Sequence, residues 1–339
     1  MDFELGKTYS GYKFLDVVER SKRGVEYRVQ NTLAQRQEIL RSLPEGAHDD
    51  LEQTERFLRE MRVRARLIHP NIVTLFNAFE LECQLVMTTE LVEGPILSQR
   101  LELGPIPWRE AAGLLRQVLI AVGFAHDQNV IHRDINPENI IIGTDGVVKL
   151  ANFGLAKIID GPKLTQVGAV VGNVQYISPE QVKGTAELDP RSDLYSLGVV
   201  FYHMLCGRPP FVSASHFEVM LAHVNTAPEA PSAVNPAVPR EFDAVVLRAL
   251  AKDPTLRYRD ALAFVAALDA AVASIDRPSA SAVAQRPASP PHLPIPPILV
   301  SEIPAGQAKP SSLLYDVLFY SGLAAGASML LRAIWLVGQ

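Results

Sequence analysis

The chain has 339 residues, of which 48% are hydrophobic and 20% charged, and its formal net charge is −5 at pH 7. This length and apolar content suffice for a sizeable folded core plus an extension, and the negative charge argues against a general nucleic-acid-binding protein. The two cysteines, Cys83 and Cys206, are far apart in sequence and lie in apolar surroundings, so we expect buried reduced thiols rather than a metal or redox pair. The N-terminus has no apolar region typical of a signal peptide, which favours a cytosolic location for the folded part.

The first ninety residues predict a small sheet that is interrupted by one helix. Its elements, in chain order, are short strands within residues 14–43, a helix over 49–67 and strands over 73–79 and 84–90. The helix places Phe57, Met61 and Ala65 at i, i+4 and i+8, which predicts an apolar stripe along one face.

A helix predicted over residues 107–128 leads into the segment IHRDINPENI, residues 131–140. Its H-R-D-x-x-x-x-N spacing is that of a protein-kinase catalytic loop. Partner motifs follow in the expected order, with NFG at 152–154, SPE at 178–180 and KDPTLRY at 252–258. The sequence therefore resembles the Ser/Thr protein kinase family over residues 12–275. The resemblance implies an α+β, two-lobed kinase-like fold, with a β-rich N-lobe at 12–93 and a larger helical C-lobe at 94–275.

In such a loop, the resemblance assigns Asp134 as the base for the substrate hydroxyl and Asn139 as a magnesium ligand. Two neighbours depart from the family pattern. Asn136 stands where the loop Lys is usual, and Asn152 stands where the magnesium-binding Asp of D-F-G is usual. Because magnesium is held mainly by charged oxygens, a metal site made from Asn139 and Asn152 is expected to be weak.

The nucleotide-binding positions of the small lobe are also altered. The segment ending in Gly24 resembles the Gly-rich loop, but Glu19 and Ser21 take the places of its first two glycines, and an ordinary hairpin turn is the alternative. The strand QEILRSLP resembles the strand that carries the phosphate-binding Lys, with Arg41 in the Lys place and Leu40 as the alternative alignment.

Three further nucleotide-binding positions follow from the resemblance. Glu60 occupies the place of the helix Glu and is expected to pair with Arg41; the alternative is a solvated Glu among neighbouring arginines. The segment 90–94 resembles the hinge, in which the carbonyl of Glu90 and the N–H of Val92 would bind adenine.

The activation segment and the scaffold diverge in opposite ways. Residues 164–180 contain a single Thr, Thr165, and Asn173 stands where a Thr is usual, so few acceptors remain for switching by phosphorylation. By contrast, the resemblance gives Asp193 the role of holding the catalytic loop and pairs Arg257 with Glu180.

The C-terminal part changes character. Residues 276–312 are rich in Pro, Ala and Ser and predict an extended linker. Residues 313–337 are largely apolar, with a charge-free run from 317 to 331, and predict a transmembrane helix. The alternative is an amphipathic helix that folds back on the domain.

These features favour a membrane-tethered pseudokinase, a regulatory or scaffolding module with a protein partner or substrate. ATP and magnesium binding are then expected to be weak or absent. One alternative is an active Ser/Thr kinase that uses Asp134 as base. Another is a nucleotide sensor that binds without metal.

Overall fold

The computed structural model describes residues 3–21, 24–43, 50–154, 156–158, 173–185 and 188–277. All of these belong to the first of two compact units, residues 1–282. The predicted membrane helix at 313–337 and all but the first two residues of the predicted linker lie outside the described residues. Within the described ranges, no helix is both long and apolar enough to cross a membrane.

The N-terminal lobe is built on a six-stranded antiparallel sheet with the order β1-β2-β3-β4-β6-β5. Its strands are β1 (Thr8–Tyr9), β2 (Tyr12–Ser21), β3 (Gly24–Asn31), β4 (Arg36–Ser42), β5 (Leu75–Leu81) and β6 (Gln84–Glu90). One side of the sheet buries a core that includes Phe14, Tyr27 and Leu40. Since side chains alternate along a strand, Arg41 points to the opposite side, toward the candidate site.

Helix α1 (Leu51–Arg64) lies between β4 and β5 in the chain. Phe57 and Met61 are buried beside Met87 of β6, as the predicted stripe requires. Ala65 is exposed, so the third member of that stripe is wrong: the helix ends one residue earlier. A polar residue, Arg64, is buried instead.

The C-terminal lobe is helical and confirms the two-lobed α+β expectation. Its helices are α2 (Leu97–Glu102), α3 (Trp108–Asp127), α4 (Pro179–Val182), α5 (Arg191–Cys206), α6 (His216–Asn225), α7 (Pro231–Val234), α8 (Glu241–Ala249) and α9 (Ala261–Asp276). Helix α5 is buried on nearly every face, as a helix that is apolar all round should be. It ends at Gly207, whose φ of 72° closes the helix in the left-handed conformation.

Four short strands frame the candidate site where the lobes meet. They are β7 (Val130–Ile131), β8 (Ile140–Ile142), β9 (Val148–Leu150) and β10 (Lys157–Ile158), paired as β7 with β10 and β8 with β9. The Val73 N–H donates to the Leu150 carbonyl at 2.9 Å, which ties the N-terminal lobe to β9. The catalytic-loop motif lies between β7 and β8, and the NFG segment follows β9.

The cysteines depart in part from expectation. Cys83 is exposed in the turn between β5 and β6, where its φ is 61°. The prediction of a buried thiol is therefore wrong there, because the turn lifts this residue away from the apolar strands around it. Cys206 is half-buried at the end of α5, and burial raises the pKa of its thiol to about 11.

Candidate functional site

A buried carboxylate holds the catalytic-loop motif from behind. Asp193, in the first turn of α5, accepts hydrogen bonds from the backbone N–H groups of His132 and Arg133, each at 2.9 Å. Its Oδ2 also lies 2.8 Å from His126 Nε2. Burial alone would raise the pKa of Asp193, but His126 and the backbone donors outweigh it, so the pKa is lowered. The predicted bracing role of Asp193 matches this geometry.

The Asp134 carboxylate is surrounded by amide donors. Asn136 Nδ2 donates to its Oδ1 at 2.9 Å, and Asn139 Nδ2 donates to its Oδ2 at 3.2 Å. The backbone N–H of Asn173 approaches the same Oδ1 at 3.4 Å. These are neutral donors, so they fix the direction of the carboxylate without supplying positive charge.

Asn136 also has a local structural task. Its Oδ1 accepts from the Glu138 N–H at 2.9 Å and caps the short 3-10 helix Pro137–Asn139. A Lys side chain at this position has no oxygen with which to cap the helix. Asn136 therefore provides a helix cap and lacks the positive charge of a Lys.

The two residues expected to hold a metal bind each other. Asn152 Nδ2 donates to Asn139 Oδ1 at 3.0 Å, and both side chains are buried. Because Asn139 Nδ2 already donates to Asp134, its Oδ1 must accept, which fixes the orientation of both amides. Asn152 Oδ1 is then buried without a hydrogen-bond partner among the described residues.

This donor set is poor in charged oxygens for a magnesium ion. Magnesium is usually bound by one or two carboxylates together with substrate phosphates and waters, and here one amide oxygen is already used in the Asn152–Asn139 bond. Among Asp134, Asn139 and Asn152, Asp134 has the carboxylate, and that carboxylate already accepts hydrogen bonds from two side-chain amides. No group of three or more His, Cys, Asp or Glu side chains suited to a metal occurs in the described part of the chain.

A buried ion-pair chain lies above the loop. Arg41 of β4 forms an ion pair with Glu60 of α1, which confirms the expected pairing over the solvated alternative. Arg64 Nε lies 2.9 Å from the other carboxylate oxygen of Glu60. All three side chains are at most 8% exposed. Burial lowers the pKa of Arg64, and the Glu60 and Glu26 carboxylates oppose that shift.

Gly24 is required by the packing of the hairpin itself. Its φ is 128°, and a Cβ there would lie 1.9 Å from the carbonyl oxygen of Ser42 on β4. The close approach of β3 to β4 therefore explains the glycine. The alternative of an ordinary hairpin turn concerned β2 and β3 and stays a prediction. A role of Gly24 in nucleotide binding stays a prediction.

The hinge residues Glu90 and Val92 join the two lobes. The Glu90 carboxylate lies 2.8 Å from Lys149 Nζ and accepts from the Thr74 N–H at 3.2 Å. The Lys149 contact holds the hinge to β9 of the C-terminal lobe, and the Thr74 contact holds it to the segment before β5. The proposed adenine contacts of the Glu90 carbonyl and the Val92 N–H use the backbone alone and stay predictions.

The scaffold pair of the large lobe has the expected geometry. Arg257 donates to both oxygens of Glu180, at 2.7 and 2.9 Å. Burial alone would raise the pKa of Glu180, but Arg257 and Ser192 outweigh it, and the pKa is lowered. Between this pair and the NFG segment, residues 159–172, which include Thr165, lie outside the described residues.

Comparisons with known proteins resolve the family. The family model described as "Protein kinase domain" matches residues 22–267. The chain belongs to the protein kinase family. It is 34% identical to the serine/threonine-protein kinase PrkC of Bacillus subtilis over 76% of its own length. It is also 34% identical to the serine/threonine-protein kinase PknE of Mycobacterium tuberculosis over 83% of its length.

The match covers only part of these relatives. The chain spans 40% of PrkC and 50% of PknE. Among solved structures, it is similar to the kinase domain of PknI from Mycobacterium tuberculosis, with a TM-score of 0.61 and 28% identity. That likeness covers 80% of this chain and 100% of the PknI domain, which confirms the kinase fold.

Two kinase-site residues were missed at the level of sequence. Arg64 lies four residues after Glu60, a spacing that brings side chains together on a helix, and this signal was available. Glu26 lies two residues after Gly24 and directly opposite Arg41 in the β3–β4 register, so it shares the face of Arg41. Only the strand register reveals that placement.

Proposed function

We propose that this kinase domain is a regulatory or scaffolding module that recognises a protein partner and transfers phosphate weakly or not at all. The observation that carries this proposal is the hydrogen bond between Asn152 and Asn139. It joins two amides in the place where kinases need a carboxylate and a metal ion.

The energetic argument concerns charge at the transferring phosphoryl group. Kinases stabilise that charge with magnesium and cationic side chains, and each such contribution acts in the transition state. Here Asn152 contributes no negative charge to a metal and Asn136 contributes no positive charge to the phosphate. Arg41 keeps a positive charge, but its guanidinium is engaged by Glu60.

A second candidate is an active Ser/Thr kinase with Asp134 as base. The names of the curated relatives support it better than they support a pseudokinase, since PrkC and PknE are each called serine/threonine-protein kinases. The braced catalytic loop also supports it, as does the Arg41–Glu60 ion pair, which stands where active kinases have a Lys–Glu ion pair. Protein substrates and use of ATP with magnesium would follow.

A phosphotransfer assay separates these two candidates. The full chain is incubated with labelled ATP, magnesium and generic protein substrates, beside Asp134→Ala and a control, Asp127→Ala, at an exposed position at the end of α3. We expect incorporation near background for all three. Robust incorporation in the wild type and the control that is lost in Asp134→Ala would make the chain an active kinase and refute the leading proposal.

A metal-independent nucleotide sensor is the remaining candidate. In that case ATP raises the melting temperature of the domain equally with magnesium and with a chelator, since a ligand bound only to the folded state stabilises it by mass action. A shift that needs magnesium would instead support the active kinase.

We also propose that residues 313–337 anchor the protein in a membrane through the linker at 276–312. The support is the charge-free apolar run from 317 to 331. Cells expressing the full chain and a version ending at Pro310 are fractionated and washed with carbonate. The full chain alone should remain with the membranes, and equal solubility of the two forms would refute the anchor.

A further inference from the structure

The cleft face of the small lobe carries a run of alternating charges. Glu26 on β3 is directly opposite Arg41 on β4, Arg41 is paired with Glu60, and Glu60 is paired with Arg64. Glu26 also acts electrostatically on Arg64. The two arginines are therefore balanced by two carboxylates without any ligand.

Arg41 keeps one hydrogen-bond donor that its ion pair with Glu60 does not use. Its Nε atom is buried without a hydrogen-bond acceptor among the described residues, and the side chain is 7% exposed. A buried guanidinium donor without an acceptor is costly, so this atom is open to an anionic oxygen. The charge next to it in the strand register is the carboxylate of Glu26.

A second carboxylate adds to this field from the neighbouring strand. Glu19 on β2 is directly opposite Glu26 on β3. Like charges at directly opposed positions destabilise a sheet, so this pair carries a cost that the fold alone does not explain. It belongs to the hairpin that, in the kinase family, covers the phosphates of the nucleotide.

We propose that Glu26, with Glu19 beside it, is the specificity determinant that excludes polyphosphate ligands from this cleft. Glu26 serves as an internal counter-ion that takes the place of a phosphate next to Arg41. Glu19 extends the negative charge to the entrance, so that a nucleoside triphosphate meets repulsion before it reaches the arginine. This inference rests on the proposed function and names the residues responsible for weak nucleotide binding.

The test is isothermal titration of the full chain with ATP in a chelator, so that no metal contributes. The variants are Glu26→Gln, Glu19→Gln and the double variant. The control is Glu80→Gln on β5, which removes the same charge at an exposed position three strands away from β3 in the sheet order. Melting curves establish that each variant is folded, and Glu19 is exposed, so its substitution leaves the core intact.

We expect each single substitution to tighten ATP binding by about tenfold, because one repulsive charge near several phosphate charges is removed. The double variant should bind more tightly than either, and Glu80→Gln should bind as the wild type does. Adenosine, which has no phosphate, should bind equally to all forms. ATP binding that stays undetectable or unchanged in the cleft variants overturns the proposal, as does an equal gain for ATP and adenosine, which would indicate a steric effect.

The outcome is separable from that of the proposed function. The proposed function attributes weak phosphotransfer to Asn152 and Asn136, and the cleft variants retain both residues. Glu26→Gln should therefore bind ATP without transferring its phosphate. Phosphotransfer by the wild type would refute the regulatory role. The ATP affinities of the wild type and the variants would still decide whether Glu26 and Glu19 repel phosphate.

Discussion

Introducing a carboxylate into the NFG segment tests the proposal that this cleft binds magnesium weakly. In Asn152→Asp the new charge lies near Glu60, because a Cβ on Gly154 would be 3.0 Å from Glu60 Oε2 and 3.3 Å from Asn152 Oδ1. The two oxygens are thus no more than about 6 Å apart. Asn152 has a φ of 61°, which Asp tolerates, so the backbone should not change.

The expected size of the effect follows from Coulomb's law. Two unit charges at this maximum separation of about 6 Å repel by about 3 kcal/mol at an effective dielectric constant of about 20, and closer charges repel more strongly. Arg41, which is paired with Glu60, offsets part of this, so the free energy of unfolding should fall by roughly 1–3 kcal/mol in a chelator. For a domain of this size that corresponds to a melting temperature lower by about 2–12 °C.

Magnesium should reverse the loss in the variant. A cation that binds the oxygens of Asp134 and Asn139 together with the introduced carboxylate would add about 1.4 kcal/mol at a concentration about ten times its Kd. The measurement is the melting temperature with chelator and with magnesium. Asn129→Asp serves as the matched control, since Asn129 is exposed and also has a positive φ, of 58°. If Asn152→Asp melts like the wild type in both solutions, the electrostatic reasoning is refuted.

Three other predictions concern stability and are measured by denaturant unfolding. Gly24→Ala should destabilise the domain by more than about 2 kcal/mol, because the added Cβ would clash with a backbone carbonyl. The control Gly113→Ala in α3, where an added Cβ has no neighbour within 4 Å, should be neutral or stabilising. Equal effects of the two substitutions would contradict the packing role of Gly24. Arg257→Ala should lower the free energy of unfolding by about 3–5 kcal/mol at neutral pH, because it leaves Glu180 buried and unpaired. Against the effect of burial, the ion pair lowers the pKa of Glu180, so it stabilises the fold above the ordinary pKa of 4.5, and the penalty should shrink as the pH falls below 4.5. A penalty independent of pH would argue against the ion pair. Burial lowers the pKa of Lys252 from 10.5 to about 8, so the unfolded state binds more protons than the folded state between these pH values. The free energy of unfolding of the wild type should therefore rise relative to that of Lys252→Met from pH 8 to 10.5. Parallel curves of stability against pH for the two proteins would refute a burial cost at Lys252.

The sequence predicts much of this site because motif residues have fixed partners in the fold. Arg41 with Glu60, and Arg257 with Glu180, could be paired before any coordinates because each is a charge whose partner is set by the family pattern. The burial of Arg64 could not be read from hydrophobic periodicity, which assigns polar residues to solvent. Ion pairing with Glu60 overrides that rule here.

Two other features of the site, the direction of Glu26 and the bond between Asn139 and Asn152, also depend on tertiary structure. The direction in which Glu26 points depends on strand register, and a shift of one residue would turn it to the other face. The bond between Asn139 and Asn152 depends on the orientation of two amides, which follows only after every other donor near Asp134 has been assigned.

The bracing of the catalytic loop by Asp193 has a consequence for protein engineering. The hydrogen bonds that hold His132 and Arg133 come from α5, and none of them involves a residue that would contact a nucleotide. The backbone of the catalytic loop is therefore held from α5, while the Asp134 side chain is oriented by the cleft amides Asn136 and Asn139. Exchanges at Asn152 or Glu26 leave these bracing bonds in place, whereas an exchange at Asn136 also removes the cap of the Pro137–Asn139 helix and a donor to Asp134. Cleft positions of the first kind can therefore be redesigned on an unchanged C-terminal lobe.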